Sequence, residues 1–415
     1  MKKYNFDFDY LANQLDELIK VKDEKSITYS EMFLVPELEA ILETAYEFDT
    51  KIPQGVFKRI ISDAIHIFVR KNVKNGKSLK SSIGQSEINY LKKDKQKYHL
   101  LTSLSFQYFD QLPKLNINKV YIDFLPTLPN KYKIYDNENI KYKFPDYPPN
   151  NYTIVRISLR ARSLSEAIEM GLYTLNLVRG FWNFSLNLRL GSRMQMGKRD
   201  PINNIRLGPL HTIHDERGKL SDNIYWFENE FIIKSSGNIV KDKWEIINKD
   251  FNHFRKCIKN SKSNIDINSI INYYVNALDT IDYHSAYLKL WSLLEQLTDT
   301  GLSGYDKTIS RTLFFYKKDR LNKEALEHLR IVRNRLIHKG ESPDNIDPIL
   351  FQMKRFVERV FVFNINNLKY FSNIQEVGKY LDINYDIDSL KREIQFRKRV
   401  LKEIIGKKRI TSGSS

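Results

Sequence analysis

The sequence predicts an α+β N-terminal region followed by an all-α C-terminal helical bundle, and three observations carry that reading. Residues 8 to 48 place their apolar side chains at helical intervals. Residues 98 to 160 change to short Tyr, Ile, Phe and Val runs broken by prolines. From about residue 265 the helical rhythm returns and persists, with only short breaks.

In the first stretch Leu11, Leu15, Leu18 and Ile19 share one face, and Leu38, Ile41, Leu42 and Ala45 form another after Pro36. "KVYIDFLPTLP" and "YTIVRISLRARS" then read as strands, separated by Pro126, Pro129, Pro145, Pro148 and Pro149. The second strand leads into "SLSEAIEMGLYTLNLVRGFWNF". There Ser163 and Glu166 stand at capping-box spacing, and Ile168, Leu172, Leu175 and Val178 give a helix face. Residues 186 to 220 lose periodicity and read as a long basic loop containing Arg189, Arg193, Lys198, Arg199 and Arg206. Five helices are expected after it, at 266–280, 283–298, 306–317, 322–338 and 345–368, followed by a basic amphipathic helix and tail. The expected division is therefore 1–262, with a sub-boundary near 97, then 263–372 and 373–415. No internal repeat of 20 to 50 residues is present.

Composition narrows the function classes. The 415 residues suit two or three domains, and 41% hydrophobic and 13% aromatic content argues for folded ones. A formal net charge of +17 favours polyanionic partners, nucleic acid first among them. The joint richness in Lys, Asn, Ile and Tyr is also what an A/T-rich genome produces, so the charge alone decides little. A single cysteine, Cys257, excludes an intrachain disulfide and a cysteine-based zinc cluster, and fits a reducing cytoplasm. "MKKYNFDFDY" lacks an apolar segment after its basic start, and no later stretch approaches 18 uncharged apolar residues, so neither export nor membrane insertion is expected.

The residues with chemical potential lie in "IVRNRLIHKG", residues 331–340. Ala325, Leu326, Leu329, Val332 and Leu336 form the core stripe of the expected fourth helix. Asn334 and His338 are four apart and share a face, while Arg333 lies roughly 140° round the helix on a stem long enough to swing back. Such a trio suits metal-free RNA cleavage. A 2′-hydroxyl must lose a proton to attack phosphorus and the leaving 5′-oxygen must gain one, and an imidazole does either near neutral pH. An arginine offers forked donors to the charge that builds on the phosphorane, and an asparagine can hold the imidazole or a phosphate oxygen. One histidine does not easily do both proton transfers, so two copies meeting at a symmetric interface would complete the set. Spacing alone favours a plain helix C-terminus over this chemistry, with His338 and Lys339 complementing the dipole and Gly340 closing the cap.

"IVRNRLIHKG" resembles the signature of HEPN domains, an arginine and a polar residue followed after a short gap by a histidine. With the upstream "YHSAYLKLWSLLEQLT" and "ISRTLFFY" it is similar to the Apea-like branch of that family, over roughly residues 263 to 370, about a quarter of the chain. The resemblance implies a dimeric, all-helical HEPN-like domain, often a metal-independent ribonuclease in toxin or antiphage defence, with Arg333, Asn334 and His338 as active positions. It implies RNA such as tRNA or mRNA as substrate, no cofactor, and a trigger sensed elsewhere in the chain. In many relatives a glycine follows the histidine directly, whereas here Lys339 intervenes. Some relatives are non-catalytic binding modules, which leaves a nucleic-acid-binding or dimerisation role as the alternative.

Further candidates are secondary. Glu295 lies near the apolar face and could pair with Arg333 or Arg311, or with a surface cation. Lys289, Arg311 and Lys339, and the loop cations Arg189, Arg193, Lys198 and Arg199, are candidate phosphate contacts or solvated charges. "HTIHDE" offers His211, His214 and Asp215 but lacks the carboxylate frame of a zinc hydrolase, and reads as turn residues in the basic loop. "GLSGYDK" reads as a loop, and neither a phosphate-cradling loop ending in Lys-Ser/Thr nor a Gly-x-Ser-x-Gly elbow occurs. Nine lysines and arginines between Lys391 and Arg409, against Glu393 and Glu403, could grip a nucleic-acid backbone or form the wet face of a docked helix.

Overall fold

A computed structural model describes residues 5–22, 27–191, 200–227, 231–301, 304–316, 319–383 and 386–411. The chain divides into two units, residues 1–179 with 204–245, and residues 180–203 with 246–415.

The first unit opens with α1 (Phe8–Leu18), whose Asp7 side chain accepts the N–H groups of Asp9 and Tyr10 at 3.0 Å each and so satisfies two orphan donors of the helix start. Strands β1 (Ile19–Val21) and β2 (Ile27–Tyr29) pair antiparallel, and α2 (Leu34–Ala45), α3 (Phe57–Phe68) and α4 (Gly76–Leu91) follow. Leu11, Leu15 and Leu42, on the faces that the helical spacing predicts, meet Ile61 and Ile83 in one apolar cluster. Ile41 departs from that expectation. It is 37% exposed, because Leu38 and Leu42 already occupy the inward face.

Strands β3 (Gln96–Leu104), β4 (Leu115–Ile117) and β5 (Val120–Leu125) precede α5 (Glu138–Lys143), β6 (Thr153–Ala161) and α6 (Leu164–Asn187). After them come β7 (Leu210–His214), β8 (Leu220–Phe227) and α7 (Ile239–Asp242). β3 to β8 form an antiparallel sheet in the order β4-β5-β6-β3-β7-β8. β3 is central and buried continuously from Tyr98 to Leu104, and the sheet begins within a residue of the expected sub-boundary. The strand-to-helix unit forms where Ser163 and Glu166 placed it. Ser163 Oγ accepts from Glu166 N at 3.2 Å, while the Glu166 carboxylate accepts from Arg162 N at 2.6 Å and from the Tyr90 hydroxyl at 2.8 Å.

In "HTIHDE" Asp215 and Glu216 lie in a turn as expected, whereas His211 and His214 do not. Leu210–His214 is a strand that pairs with β3 through His99↔His214 and Leu101↔Thr212 and with β8 through His211↔Trp226, and all five of its residues are buried. The expected long basic loop is shortened accordingly. α6 runs to Asn187, and Pro201, Ile202, Asn203 and Ile205 are buried.

The second unit holds the end of α6 with α8 (Trp244–Lys259), α9 (Ile267–Asp279), α10 (Tyr283–Leu297), α11 (Tyr305–Leu313), α12 (Arg320–Lys339), α13 (Ile346–Asn367), α14 (Ile374–Leu381) and α15 (Ile387–Thr411). Asp266, Asp282 and Asp319 cap α9, α10 and α12, which is why their starts fall within two residues of the sequence expectation. α10 packs between α9 and α13, and α12 touches α10, α11 and α13. The expected border at 262/263 moves to 245/246 because α8 belongs to this core. Phe254 packs against Phe181 and Phe184 at centroid distances of 5.6 and 5.8 Å, and Phe184 meets Phe361 edge-on at 4.7 Å. Lys354 and Glu358 are a buried pair at 3.0 Å. The lysine donates to Asn187 O at 2.6 Å and the Tyr274 hydroxyl donates to the carboxylate, so each charge is hydrogen-bonded. α15 is the expected basic helix, and its side chains from Ile387 to Lys402 are exposed or half-exposed. Among the described residues no helix is long and apolar enough to cross a membrane.

Candidate functional site

α12 presents the arginine, asparagine and histidine. Its twenty residues contain no glycine or proline, and Leu326, Leu329 and Val332 are buried, each stabilising the packed helix by about 1.5–3 kcal/mol. Ala325 and Leu336, expected in the same stripe, are half-buried at its edges. The Tyr287 hydroxyl of α10 donates to Leu329 O, fixing the helix by its backbone as well. The helix ends at Gly340, whose φ of +65° is the left-handed conformation that a Cβ disfavours, and the N–H of Gly340 reaches Arg335 O. The capped-terminus description of residues 338–340 is therefore structurally right, whatever else His338 does.

Arg333 is half-buried and turned toward α11. Its guanidinium lies 4.8 Å from the centroid of the Tyr305 ring, and Nη1 donates to Asn334 Oδ1 at 3.3 Å. Its Nε is buried with no hydrogen-bond partner. Tyr305 meets Trp291 edge-on at 6.0 Å, and the Trp291 indole N–H donates to Glu295 Oε1 at 2.8 Å. Two aromatic rings therefore link Glu295 to the arginine. Among the described residues no ion pair joins it to Arg333 or Arg311. Asn334 is half-buried and His338, one turn on, is exposed. Ile331, 47% exposed, lies three residues before Asn334 and seven before His338, so an apolar side chain shares their stripe on the solvent face. The structure thus brings Arg333 and Asn334 into contact and leaves His338 on the open face beside them.

Two secondary assignments are corrected. Arg311 is 4% exposed. Its Nη1 donates to Thr298 O and Asp299 O at 2.6 and 2.8 Å, and Nε and Nη2 grip Asp382 at 2.9 and 2.7 Å. It joins the end of α10 to α14 and offers nothing to a phosphate. The hydrogen bonds from Arg311 also hold the Asp382 carboxyl below the usual carboxylate range. A Cβ at Gly378 would lie 2.5 Å from Arg311 Nη1, so the glycine makes room for the guanidinium. Arg189, half-exposed, is committed to Ser185 O at 2.7 Å and Asp250 Oδ2 at 2.8 Å, which offsets its charge. Lys289 is half-buried and donates to Thr280 Oγ1 at 2.9 Å, whereas Lys339 is exposed next to His338. Arg193, Lys198 and Arg199 lie outside the described residues.

Tyr305 is not among the candidate site residues of the sequence, whereas Trp291 enters there with "YHSAYLKLWSLLEQLT", a stretch that carries the family resemblance. The available signal was a tyrosine directly after Gly304, where α11 begins. The three histidines of the sheet are neutral structural groups. Burial lowers His99, His211 and His214 to about 4 each. His214 Nδ1 faces Gly218 O at 3.0 Å and Nε2 faces Thr212 Oγ1 at 2.9 Å, which assigns the proton to Nδ1, since a carbonyl only accepts. Among the described residues no group of histidine, cysteine and carboxylate side chains is arranged to hold a metal ion. Comparison with protein-family models, with curated proteins and with solved structures gave no match to this chain.

Proposed function

We propose that the second unit is a HEPN-type, metal-independent endoribonuclease, acting as a toxin or antiphage effector, with Arg333, Asn334 and His338 of α12 as its active residues. The observation that carries this reading is the division of labour on α12. The arginine is held by Tyr305 and Asn334 with an unpaired Nε, while the histidine stays open to solvent one turn away. In the reaction the 2′-oxygen forms a bond to phosphorus as its proton passes to one imidazole. The bond to the 5′-oxygen breaks, and that oxygen takes a proton from a second imidazole. Arg333 offers its guanidinium to the phosphorane oxygens. The second imidazole is His338 of another copy of the chain, and exposed Ile331 on the same stripe supplies apolar surface for a symmetric contact. The first unit then senses the trigger or recruits the RNA in the cytoplasm.

The exposed basic helix α15 favours a second reading, a nucleic-acid-binding or dimerisation module without catalysis. One experiment separates the two. Purified protein is incubated with mixed RNA in EDTA and the product ends are analysed. Cleavage to 2′,3′-cyclic phosphate and 5′-hydroxyl ends is expected. Salt-sensitive binding with intact RNA would select the module instead, and cleavage abolished by EDTA would exclude the metal-free mechanism.

A further inference from the structure

A notch of about 380 Å³ opens in the first unit between the segment after β5 and the β7–β8 hairpin. Its volume lies at the small end of ligand pockets. Lys131 and Lys133 line one side and Arg217 and Lys219 the other, with Asp136 as the one acidic residue of the lining among the described residues. Four cations against one anion leave a local charge of +3, and among the described residues none of the four is held in an ion pair. Glu216, the nearest acid in sequence to Arg217, is turned away to Lys97 at 2.9 Å. Four like charges around one small cavity repel one another, and a bound anion removes that cost.

The walls are built rather than loose. Asp215 N donates to Lys219 O at 2.9 Å and Asp215 Oδ1 accepts from Lys219 N at 2.9 Å, which closes the hairpin turn. Gly218 has φ +91°, and a Cβ there would stand 2.5 Å from Lys131 O, so only glycine lets the two sides approach this closely. From below, His214 fixes Gly218 through its carbonyl. Asn137 and Asn223 add amide groups to the lining.

We infer that this notch binds a compact oligophosphate, either inorganic or the phosphate tail of a nucleotide, with Lys131, Lys133, Arg217 and Lys219 as its ligands. A di- or triphosphate carries the three to four negative charges that match the lining, and lysine and arginine suit phosphate oxygens. The inference concerns the sheet unit and stands whether or not the helical unit cleaves RNA.

Titration calorimetry of the full chain at fixed ionic strength tests it, with inorganic triphosphate, pyrophosphate, ATP and sulfate as probes. Triphosphate is expected to bind at least about tenfold more tightly than sulfate, and the Arg217→Gln/Lys219→Gln variant to lose at least about tenfold. Both residues are exposed, so the variant should fold, and a thermal melt checks this. A Lys391→Gln/Arg392→Gln variant on α15 should bind as the parent does. ATP matching triphosphate points to recognition of the phosphate tail, and ATP binding more weakly points to an inorganic ligand. Equal loss in both variants, unchanged affinity in the Arg217/Lys219 variant, no preference over sulfate, or displacement by long RNA but not by triphosphate would overturn it.

Discussion

The guanidinium of Arg333 lies 4.8 Å from the centre of the Tyr305 ring, an arginine of α12 held by the first residue of α11. A cation over an aromatic face is worth about 0.5–2 kcal/mol, depending on how much water is excluded. The contact orders a long side chain that would otherwise sample many rotamers.

If that ordering serves the reaction, Tyr305→Leu should lower kcat/KM for RNA by about three- to thirtyfold. Tyr305→Phe keeps the ring and should stay within about twofold of the parent. Steady-state cleavage of a labelled RNA measures both, and equal activity of the leucine variant would remove Tyr305 from the account.

Arg311 carries a prediction about stability alone. Its alanine variant leaves the carbonyls of Thr298 and Asp299 without the guanidinium that bonds them, and leaves the Asp382 carboxylate with Lys307 Nζ at 3.6 Å as its remaining cation among the described residues. A loss of about 2–4 kcal/mol in urea unfolding is expected, the partial exposure of Asp382 softening the usual cost of breaking a buried pair. RNA affinity of the folded fraction should not change. A variant as stable as the parent but weaker in RNA binding would restore the phosphate-contact role.

The sheet should be acid-sensitive. His99, His211 and His214 are lowered to about 4 in the folded chain, against about 6.5 when unfolded. Between those values the unfolded state binds more protons, so stability is full above about pH 6.5 and falls as pH drops toward 4. Each histidine should cost about 1–2 kcal/mol at pH 5. The urea midpoint should therefore be lower at pH 5 than at pH 7, and His99→Gln should reduce the difference. A midpoint that is unchanged or higher at pH 5 would contradict the burial of neutral imidazoles.

The helices of the second unit were legible because their information is local. Asp266, Asp282 and Asp319 mark the starts, Gly340 marks an end, and Leu326, Leu329 and Val332 repeat at helical spacing. β7 was not legible, since it is buried along its whole length and carries two histidines and a threonine, which hides any alternation. The role of Arg311 depends on Asp382, 71 positions away, and charge counting treats every such arginine as surface. For the same reason the contact of Tyr305 with Arg333 lies beyond spacing rules, although Asn334 and His338 stand on one face as their separation of four requires.

The most direct measurement is the initial rate of RNA cleavage in EDTA by His338→Ala and Arg333→Ala proteins, beside the parent and after circular dichroism has shown that all three fold. Loss of a proton-transferring group should slow the histidine variant by about a hundredfold or more, with Arg333→Ala reduced to a similar degree. Cleavage by both variants at the parent rate would contradict the assignment of the active site to α12.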